Sequence, residues 1–321
     1  MSIIYFSSYF DLYLPPATLI NSAKHLVVIA GPTAVGKTDV AIHLATLFNS
    51  EIISADSRQF YREMSIGTAK PDQNQLTKIN HHFIGQLSIS DYYNVSIFEN
   101  DVLSLLKSLF EKYNIVFLVG GSGLYIDAVC KGIDDFPDPA PEFRNYLKDV
   151  LIQDGIAKLQ EMLQNLDPEY YSTVDINNPN RLLRALEVCQ TTGQKFSEQR
   201  LNSHKNRDFN IVKIGLNLPR PELFSRIGLR VDQMIESGLV KEVESLLPYR
   251  QLNALNTVGY KEIFEFLDSK ITLEKAIENI KTNTRRYAKR QLTWFKRTDE
   301  YTWFEPSDIN EITNYLTMTC I

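Results

Sequence analysis

The apolar residues of this chain fall into short uninterrupted runs that alternate with stretches of helical spacing. The runs cover residues 26–30, 51–55, 115–119 and 210–216, and the helical spacing is clearest over 95–113. Continuous apolar runs of this length between helices are typical of strands buried in a parallel sheet. The pattern therefore predicts an α/β fold with a parallel sheet.

The first run leads into a glycine-containing loop that reads GPTAVGKT and fits G-x-x-x-x-G-K-[ST]. A strand precedes it and a helix pattern follows it, which is the context that a phosphate-binding P-loop requires. Backbone N–H groups and the positive helix end would hold a polyphosphate, Lys37 would reach its outer phosphate, and the Thr38 hydroxyl would hold Mg²⁺. The predicted cradle consists of Gly31, Pro32, Thr33, Ala34, Val35, Gly36, Lys37 and Thr38.

The composition pattern changes at a proline-rich linker over 134–141, beyond which residues 142–200 have helical spacing and no convincing strand. We predict a P-loop NTPase-like parallel sheet core with a helical insertion domain and a helical C-terminal region. The predicted boundaries are an N-terminal extension (1–24), the first part of the core (25–137), the insertion domain (138–205), and a return to the core followed by C-terminal helices (206–321). Everything after Pro221 is predicted to be helical.

Composition excludes several classes of protein. At 44% hydrophobic and 23% charged residues, the chain is typical of a globular protein, and its net charge of −5 excludes a generally basic surface. The three cysteines form no C-x-x-C pair, which fits a reducing cytoplasm and indicates no zinc site. No apolar run is long enough to span a membrane, and residues 1–24 lack the basic start of a signal peptide.

Asp56 is the carboxylate nearest to a strand end, at the C-terminal end of the second predicted strand. Ligands of open α/β sheets sit at that edge. The next apolar run ends in Gly120-Gly121-Ser122 and carries no acid. Many phosphate-hydrolysing P-loop enzymes have an acidic Mg²⁺ ligand at such a strand end. The arrangement favours transfer chemistry in which Asp56 acts on an acceptor.

Two sets of basic residues are candidates for binding phosphate. Arg226 and Arg230 lie four residues apart on one helix face, where they could clamp a diphosphate or be solvated. Residues 281–297 contain seven basic residues and no acid, and helical spacing puts Arg285, Arg286 and Arg290 with the others on one half. In an acidic protein this segregated face predicts contact with RNA phosphate, solvated surface being the alternative. For His81 and His82, a structural role is favoured over metal binding.

Many ordered blocks of this sequence resemble the tRNA dimethylallyltransferase family, of the bacterial type. The blocks include GPTAVGKT, SADSRQFYREMSIGTAKP, HHF, VGGSGLY, NRLLRALEV, VGYKE and RRYAKRQLTWF. The resemblance implies transfer of a dimethylallyl group from dimethylallyl diphosphate to N6 of adenosine 37 in the anticodon stem-loop of tRNA. It also implies that the P-loop binds the isoprenoid diphosphate, although such loops are often described as ATP-binding.

The resemblance also implies roles for individual residues. Asp56 matches the catalytic carboxylate, and Arg230, or else Arg226, matches the diphosphate arginine. The implied tRNA contacts are Asp56, Ser57, Arg58, Gln59, Ser122, Asn180, Arg181, Leu182, Leu183, Arg184, Val258, Gly259, Tyr260 and Lys261. We expect a cytoplasmic, monomeric enzyme.

The sequence departs from the family pattern at few places. Ser122 stands where the family usually has Thr, and Asn178 stands where an acid is common, which puts that local contact in doubt. No Cys and His cluster follows Trp303, so the zinc finger of eukaryotic relatives is missing. The alternatives are an enzyme acting on free adenine nucleotides, a small-molecule P-loop kinase, and a non-enzymatic RNA binder.

Overall fold

The computed structural model of the chain describes residues 23–134, 136–138, 140–200 and 204–321. Nearly all of the predicted N-terminal extension, 1–24, lies outside the described residues. The chain divides into two compact units, one made of residues 1–130 with 207–321 and the other of residues 131–206. The second unit thus begins before residue 138, where the insertion domain was predicted to start.

The first unit is built on a parallel sheet with the strand order β3-β2-β4-β1-β5-β6. Its strands in the described residues are β1 (His25–Ala30), β2 (Ile52–Ser54), β3 (His81–His82), β4 (Ile115–Gly120), β5 (Asn210–Leu216) and β6 (Thr302–Phe304). Every residue of β1 and β4 is buried, as the continuous apolar runs require. The predicted α/β fold with a parallel sheet is confirmed.

Two short edge strands escaped the sequence analysis. β3 consists of two histidines, and β6 pairs Thr302 with Ile214 in a segment predicted to be helical throughout. That prediction was wrong because a strand of three residues has no measurable period and is fixed by its partner strand. The histidines have the structural role that was favoured: His81 Nδ1 lies 2.8 Å from the Ile79 carbonyl oxygen and His82 pairs with Glu51.

Helices account for most of the remaining elements, and α5 to α9 belong to the second unit. In the described residues they are α1 (Lys37–Leu47), α2 (Gln73–Lys78), α3 (Val95–Lys112), α4 (Gly123–Lys131), α5 (Pro141–Gln153), α6 (Ile156–Leu166), α7 (Pro168–Thr173), α8 (Pro179–Thr192), α9 (Phe196–Gln199), α10 (Arg220–Glu236), α11 (Leu239–Ser245), α12 (Tyr260–Leu267), α13 (Leu273–Phe295) and α14 (Ile309–Cys320).

The alternation of side chains along β1 creates two cores, one on each face of the sheet. Val27 and Ile29 pack in one cluster that includes Leu44 of α1. Leu26 and Val28 pack in the other, which includes residues of α3. Because both faces are covered, the carboxyl edge of the sheet is where the strands deliver polar loops to a ligand.

The second unit has its own apolar core, which includes Leu147, Leu163 and Leu186. Asp167 is fully buried there and accepts hydrogen bonds from the backbone N–H groups of Tyr170 and Ser197. These bonds join the start of α7 to α9 and satisfy a carboxylate that would otherwise destabilise the core.

Candidate active site

The P-loop lies at the C-terminal end of β1, where the chain turns sharply into α1. A Cβ atom on Gly31 would lie 2.5 Å from the carbonyl oxygen of Leu216, so a larger residue cannot occupy that position without moving β5. Gly36 has a φ of 108° and provides no side-chain cap for α1. The first N–H groups of this helix are therefore suited to an anionic ligand.

Lys37 folds back over the P-loop. Its ammonium group donates to the carbonyl oxygens of Gly31 at 3.0 Å and Pro32 at 2.8 Å. The pKa of Lys37 is lowered to about 7, chiefly by desolvation; the charge of Asp56 raises it in part, and the charge of Arg230 lowers it. A cation held with so little compensating negative charge is prepared to bind an anion.

Asp56 follows β2 and lines the same cavity as Lys37. Its Oδ1 atom accepts the backbone N–H of Arg58 at 3.0 Å. The neighbouring Ser57 donates its N–H to Ser122 Oγ at 3.0 Å, and the two hydroxyl oxygens lie 3.2 Å apart. The loop that carries Asp56 is thus tied to the loop after β4.

Arg226 and Arg230 differ in their surroundings. Both arginines line the P-loop cavity, but Arg226 is exposed, pairs with Glu222 at 2.9 Å and lies 3.4 Å from the Val35 carbonyl oxygen. Burial lowers the pKa of Arg230, and the Asp56 carboxylate raises it. Arg230 therefore lies within the electrostatic reach of both Lys37 and Asp56.

Two cavities meet at these residues. The P-loop cavity, lined by Thr33, Lys37 and Asp56, has a volume of about 460 Å³. The second cavity, lined by Arg58, Lys261, Arg290 and others, has a volume of about 500 Å³. Four residues line both: Thr33, Asp56, Arg230 and Tyr287. A group bound in one cavity can therefore approach a group bound in the other.

The residues of the P-loop cavity fit the predicted magnesium ion. Thr38 lines this cavity and supplies a hydroxyl, which is a hard oxygen donor. Among the residues that the structure describes, no group of three or more His, Cys, Asp or Glu side chains could form a complete protein cage. Magnesium commonly uses few protein ligands and completes its shell with phosphate oxygens and water, so this donor set suits it.

Sequence reasoning missed Gln291 and Tyr287, both on α13. Gln291 Oε1 accepts the Thr33 N–H at 2.9 Å, and its Nε2 donates to the Gly121 carbonyl oxygen at 2.9 Å. Tyr287 also lines both cavities, where desolvation and the charge of Asp56 raise its pKa. The spacing of 287 and 291 by one helical turn was the available signal.

The basic segment 281–297 does not form one free face. Lys281 pairs with Asp232 at 2.6 Å. The guanidinium of Arg285 lies 5.5 Å from the centroid of the Phe224 ring, so this predicted tRNA contact is directed toward α10. The periodicity could not reveal this because it does not report which neighbours pack against the helix.

The C-terminal end of the basic segment also differs from the prediction. The helix ends at Phe295, and Arg297 beyond it pairs with Asp127. Arg286 and Arg290 are exposed, and Arg290 lines the second cavity. These two arginines therefore remain available to an RNA.

Tyr260 is not available as a tRNA contact. Its side chain is fully buried, and its hydroxyl donates to Glu242 Oε1 at 2.6 Å. Gly259 and Lys261 line the second cavity, as does Arg58. The segment around Tyr260 therefore combines a structural tyrosine with a buried glycine and an exposed lysine that line the second cavity.

The predicted contacts in the second unit divide in the same way. Leu182 is fully buried and Leu183 packs against the core of that unit, so neither side chain is suited to contact RNA. Asn180 and Arg181 are exposed, while Arg184 lies 3.6 Å from Glu187. Asn178, the departure from the family pattern, caps α8 by accepting the Arg181 N–H.

Within the described parts of the chain, no helix is both long and apolar enough to cross a membrane.

Comparisons with known proteins converge on one family. Residues 59–298 match the family model described as IPP transferase. The chain is 53% identical to the tRNA dimethylallyltransferase of Christiangramia forsetii, covering 88% of this chain and 94% of that protein. It is 49% identical to tRNA dimethylallyltransferase 2 of Azobacteroides pseudotrichonymphae, covering 90% and 94%.

Solved structures agree with these relatives. The chain is similar to the full-length tRNA isopentenylpyrophosphate transferase of Bacillus halodurans, with 37% identity, a TM-score of 0.68, and coverage of 92% of this chain and 97% of that one. It is also similar to a eukaryotic dimethylallyltransferase acting on tRNA, with 27% identity, a TM-score of 0.73, and coverage of 92% and 77%.

Proposed function

The chain belongs to the IPP transferase family and is a tRNA dimethylallyltransferase, and we propose that it transfers the dimethylallyl group of dimethylallyl diphosphate to N6 of adenosine 37 in tRNA. The bond between C1 and the diphosphate oxygen breaks, and a bond between N6 and C1 forms. The N6 proton passes to a base, and pyrophosphate leaves. The observation that carries the proposal is that Asp56 and Arg230 line both the P-loop cavity and the second cavity.

The P-loop cavity is proposed to hold the donor diphosphate. Lys37, Arg230 and the N–H groups at the start of α1 would stabilise the negative charge that accumulates as the C1–O bond breaks. Thr38 would hold Mg²⁺ together with diphosphate oxygens and water, and the ion would neutralise part of the leaving-group charge. This assignment fits the lowered pKa of Lys37, because a diphosphate restores the charged form of the side chain.

The second cavity is proposed to receive the acceptor base. Adenosine 37 is stacked in the anticodon loop and must be flipped out to reach a pocket, where its Watson–Crick edge can be read. The N6 lone pair is delocalised into the ring, so the amine needs a base as it attacks C1. Asp56 would accept this proton, a step typically worth about 10²- to 10⁴-fold in rate.

The proposed tRNA surface surrounds the second cavity. Arg58, Lys261 and Arg290 line it, and Arg286 is exposed on the same helix as Arg290. These cations would neutralise backbone phosphates and supply affinity that depends on salt. Residues of a single chain line both cavities, which supports a monomer as the active unit, and we propose that it acts on tRNA in the cytoplasm.

The test is mass spectrometry of nucleosides after the protein is incubated with dimethylallyl diphosphate, Mg²⁺ and either tRNA or adenosine monophosphate. We expect N6-dimethylallyladenosine in tRNA only, and Asp56→Asn should lower kcat by about 10²- to 10⁴-fold with little change in tRNA affinity. Asp72→Asn is the control, because an asparagine also caps the exposed start of α2. Modification of the free nucleotide alone would favour the nucleotide-modifying alternative, and near-normal turnover of Asp56→Asn would refute the role of Asp56.

A further inference from the structure

Gln291 connects the two ends of the proposed site through its side-chain amide. The oxygen accepts the N–H of Thr33 in the P-loop at 2.9 Å, and the nitrogen donates to the carbonyl oxygen of Gly121 after β4 at 2.9 Å. Gln291 is only 6% exposed, so water offers little competition for either bond.

The connection continues from Gly121 to the loop that carries Asp56. The next residue, Ser122, accepts the N–H of Ser57 at 3.0 Å through its hydroxyl oxygen. Ser57 directly follows Asp56 in the chain. A short series of hydrogen bonds and covalent bonds therefore leads from the loop that would hold the leaving group to the carboxylate that would take the proton.

The surroundings restrict how this amide can be placed. A Cβ atom on Gly121 would lie 2.1 Å from Gln291 Nε2, so the amide occupies the space beside a glycine. The site needs an acceptor toward Thr33 and a donor toward Gly121, which a glutamine supplies and a carboxylate does not. The length of the side chain matters equally, because both bonds are made at once from a fixed helix.

We propose that Gln291 is a positioning residue for the transfer reaction. It holds the P-loop and the Asp56 loop at the separation that brings C1 of the donor within reach of N6 of the acceptor. Gln291 does not contact the reacting atoms in this role, and the proposal rests on the function proposed above. The expected consequence is on kcat more than on the binding of either substrate, since misplacement by about 1 Å can cost on the order of 10²-fold in rate.

The first test is Gln291→Met, which keeps a similar volume and removes both hydrogen bonds. We expect kcat at saturating donor and tRNA to fall by about 10²-fold. The KM for donor and the Kd for tRNA should change by less than about fivefold, since the groups proposed to bind each substrate remain. Thr293→Val is the matched control on α13, because its exposed hydroxyl donates to the Lys289 carbonyl oxygen of the same helix.

The second test is Gln291→Glu, whose pH profile separates positioning from a general effect on folding. The protonated carboxyl can accept from Thr33 and donate to Gly121, whereas the ionised form places an oxygen acceptor against a carbonyl oxygen. Burial raises the pKa of such a carboxyl group. The ratio of variant kcat to parent kcat should therefore rise as the pH is lowered from 8 to 6, in assays run well below each variant's Tm.

The outcomes separate this proposal from the proposed function. A parent enzyme that modifies no tRNA refutes the function itself. If the parent is active and Gln291→Met differs from it by less than threefold in kcat and shows only a lower Tm, the positioning role is overturned. If the Met variant does not fold, the Glu variant decides: a kcat ratio that does not change with pH also overturns it.

Discussion

The lowered pKa of Lys37 leads to a pH dependence of donor binding. In the free protein the ammonium group donates to two carbonyl oxygens, and desolvation lowers its pKa to about 7. A bound diphosphate favours the charged form and raises this pKa toward its ordinary value. Donor binding above pH 7 is therefore coupled to the uptake of a proton.

The size of the effect follows from the fraction of Lys37 that is protonated before binding. Affinity is greatest below the free-state pKa and falls as the pH rises above it, because a proton must then be supplied. The apparent Kd scales as one plus 10 raised to the difference between pH and pKa. It should increase about tenfold from pH 6 to pH 8, which corresponds to about 1.4 kcal/mol.

Isothermal titration calorimetry measures both quantities. Titration of dimethylallyl diphosphate with Mg²⁺ at pH 8, in two buffers of different ionisation enthalpy, should give an uptake of about 0.9 proton by Lys37. Lys37→Arg is the control, since its guanidinium stays charged over this range and the donor's own ionisation affects both proteins equally. If log Kd for the donor changes equally with pH in parent and variant, and proton uptake does not differ between them, this reasoning is refuted.

Two further predictions concern RNA binding and stability. Arg286→Gln combined with Arg290→Gln should make the slope of log affinity for tRNA against log salt shallower by roughly 1.4 to 1.8, for two phosphate contacts, as measured by filter binding; an unchanged slope would show that these side chains do not contact phosphate. Glu242→Ala should lower the free energy of unfolding in urea by at least about 2 kcal/mol, because the carboxylate accepts three backbone N–H groups at 65–67 and the Tyr260 hydroxyl. Tyr260→Phe should cost about 1 kcal/mol, and equal effects of the two changes would contradict this assignment.

The sequence predicts those parts of the molecule whose determinants are local. The apolar run at 210–216 coincides with β5. The P-loop motif determines its backbone conformation locally when it follows a buried strand. Asp56 could be placed beside the P-loop because carboxyl ends of parallel strands share one edge.

Other features depend on partners that no local pattern encodes. β6 forms because it pairs with the edge of β5, and Tyr260 is buried because Glu242 and Gly67 lie against it. Arg285 and Arg286 are adjacent arginines of one basic segment, yet it is Arg285 that packs toward Phe224. These assignments require knowledge of which surfaces meet.

The hydrogen bond between Thr33 and Gln291 joins residues 258 positions apart, so the order of synthesis matters to the site. At translation rates of about 5–20 residues per second, the ribosome needs roughly 13–50 s to proceed from one partner to the other. During that interval the nascent chain carries its P-loop without the helix that closes it. The site can therefore be completed only when almost the whole chain has been made. A chain that terminates before α13 lacks Gln291 and cannot form this hydrogen bond.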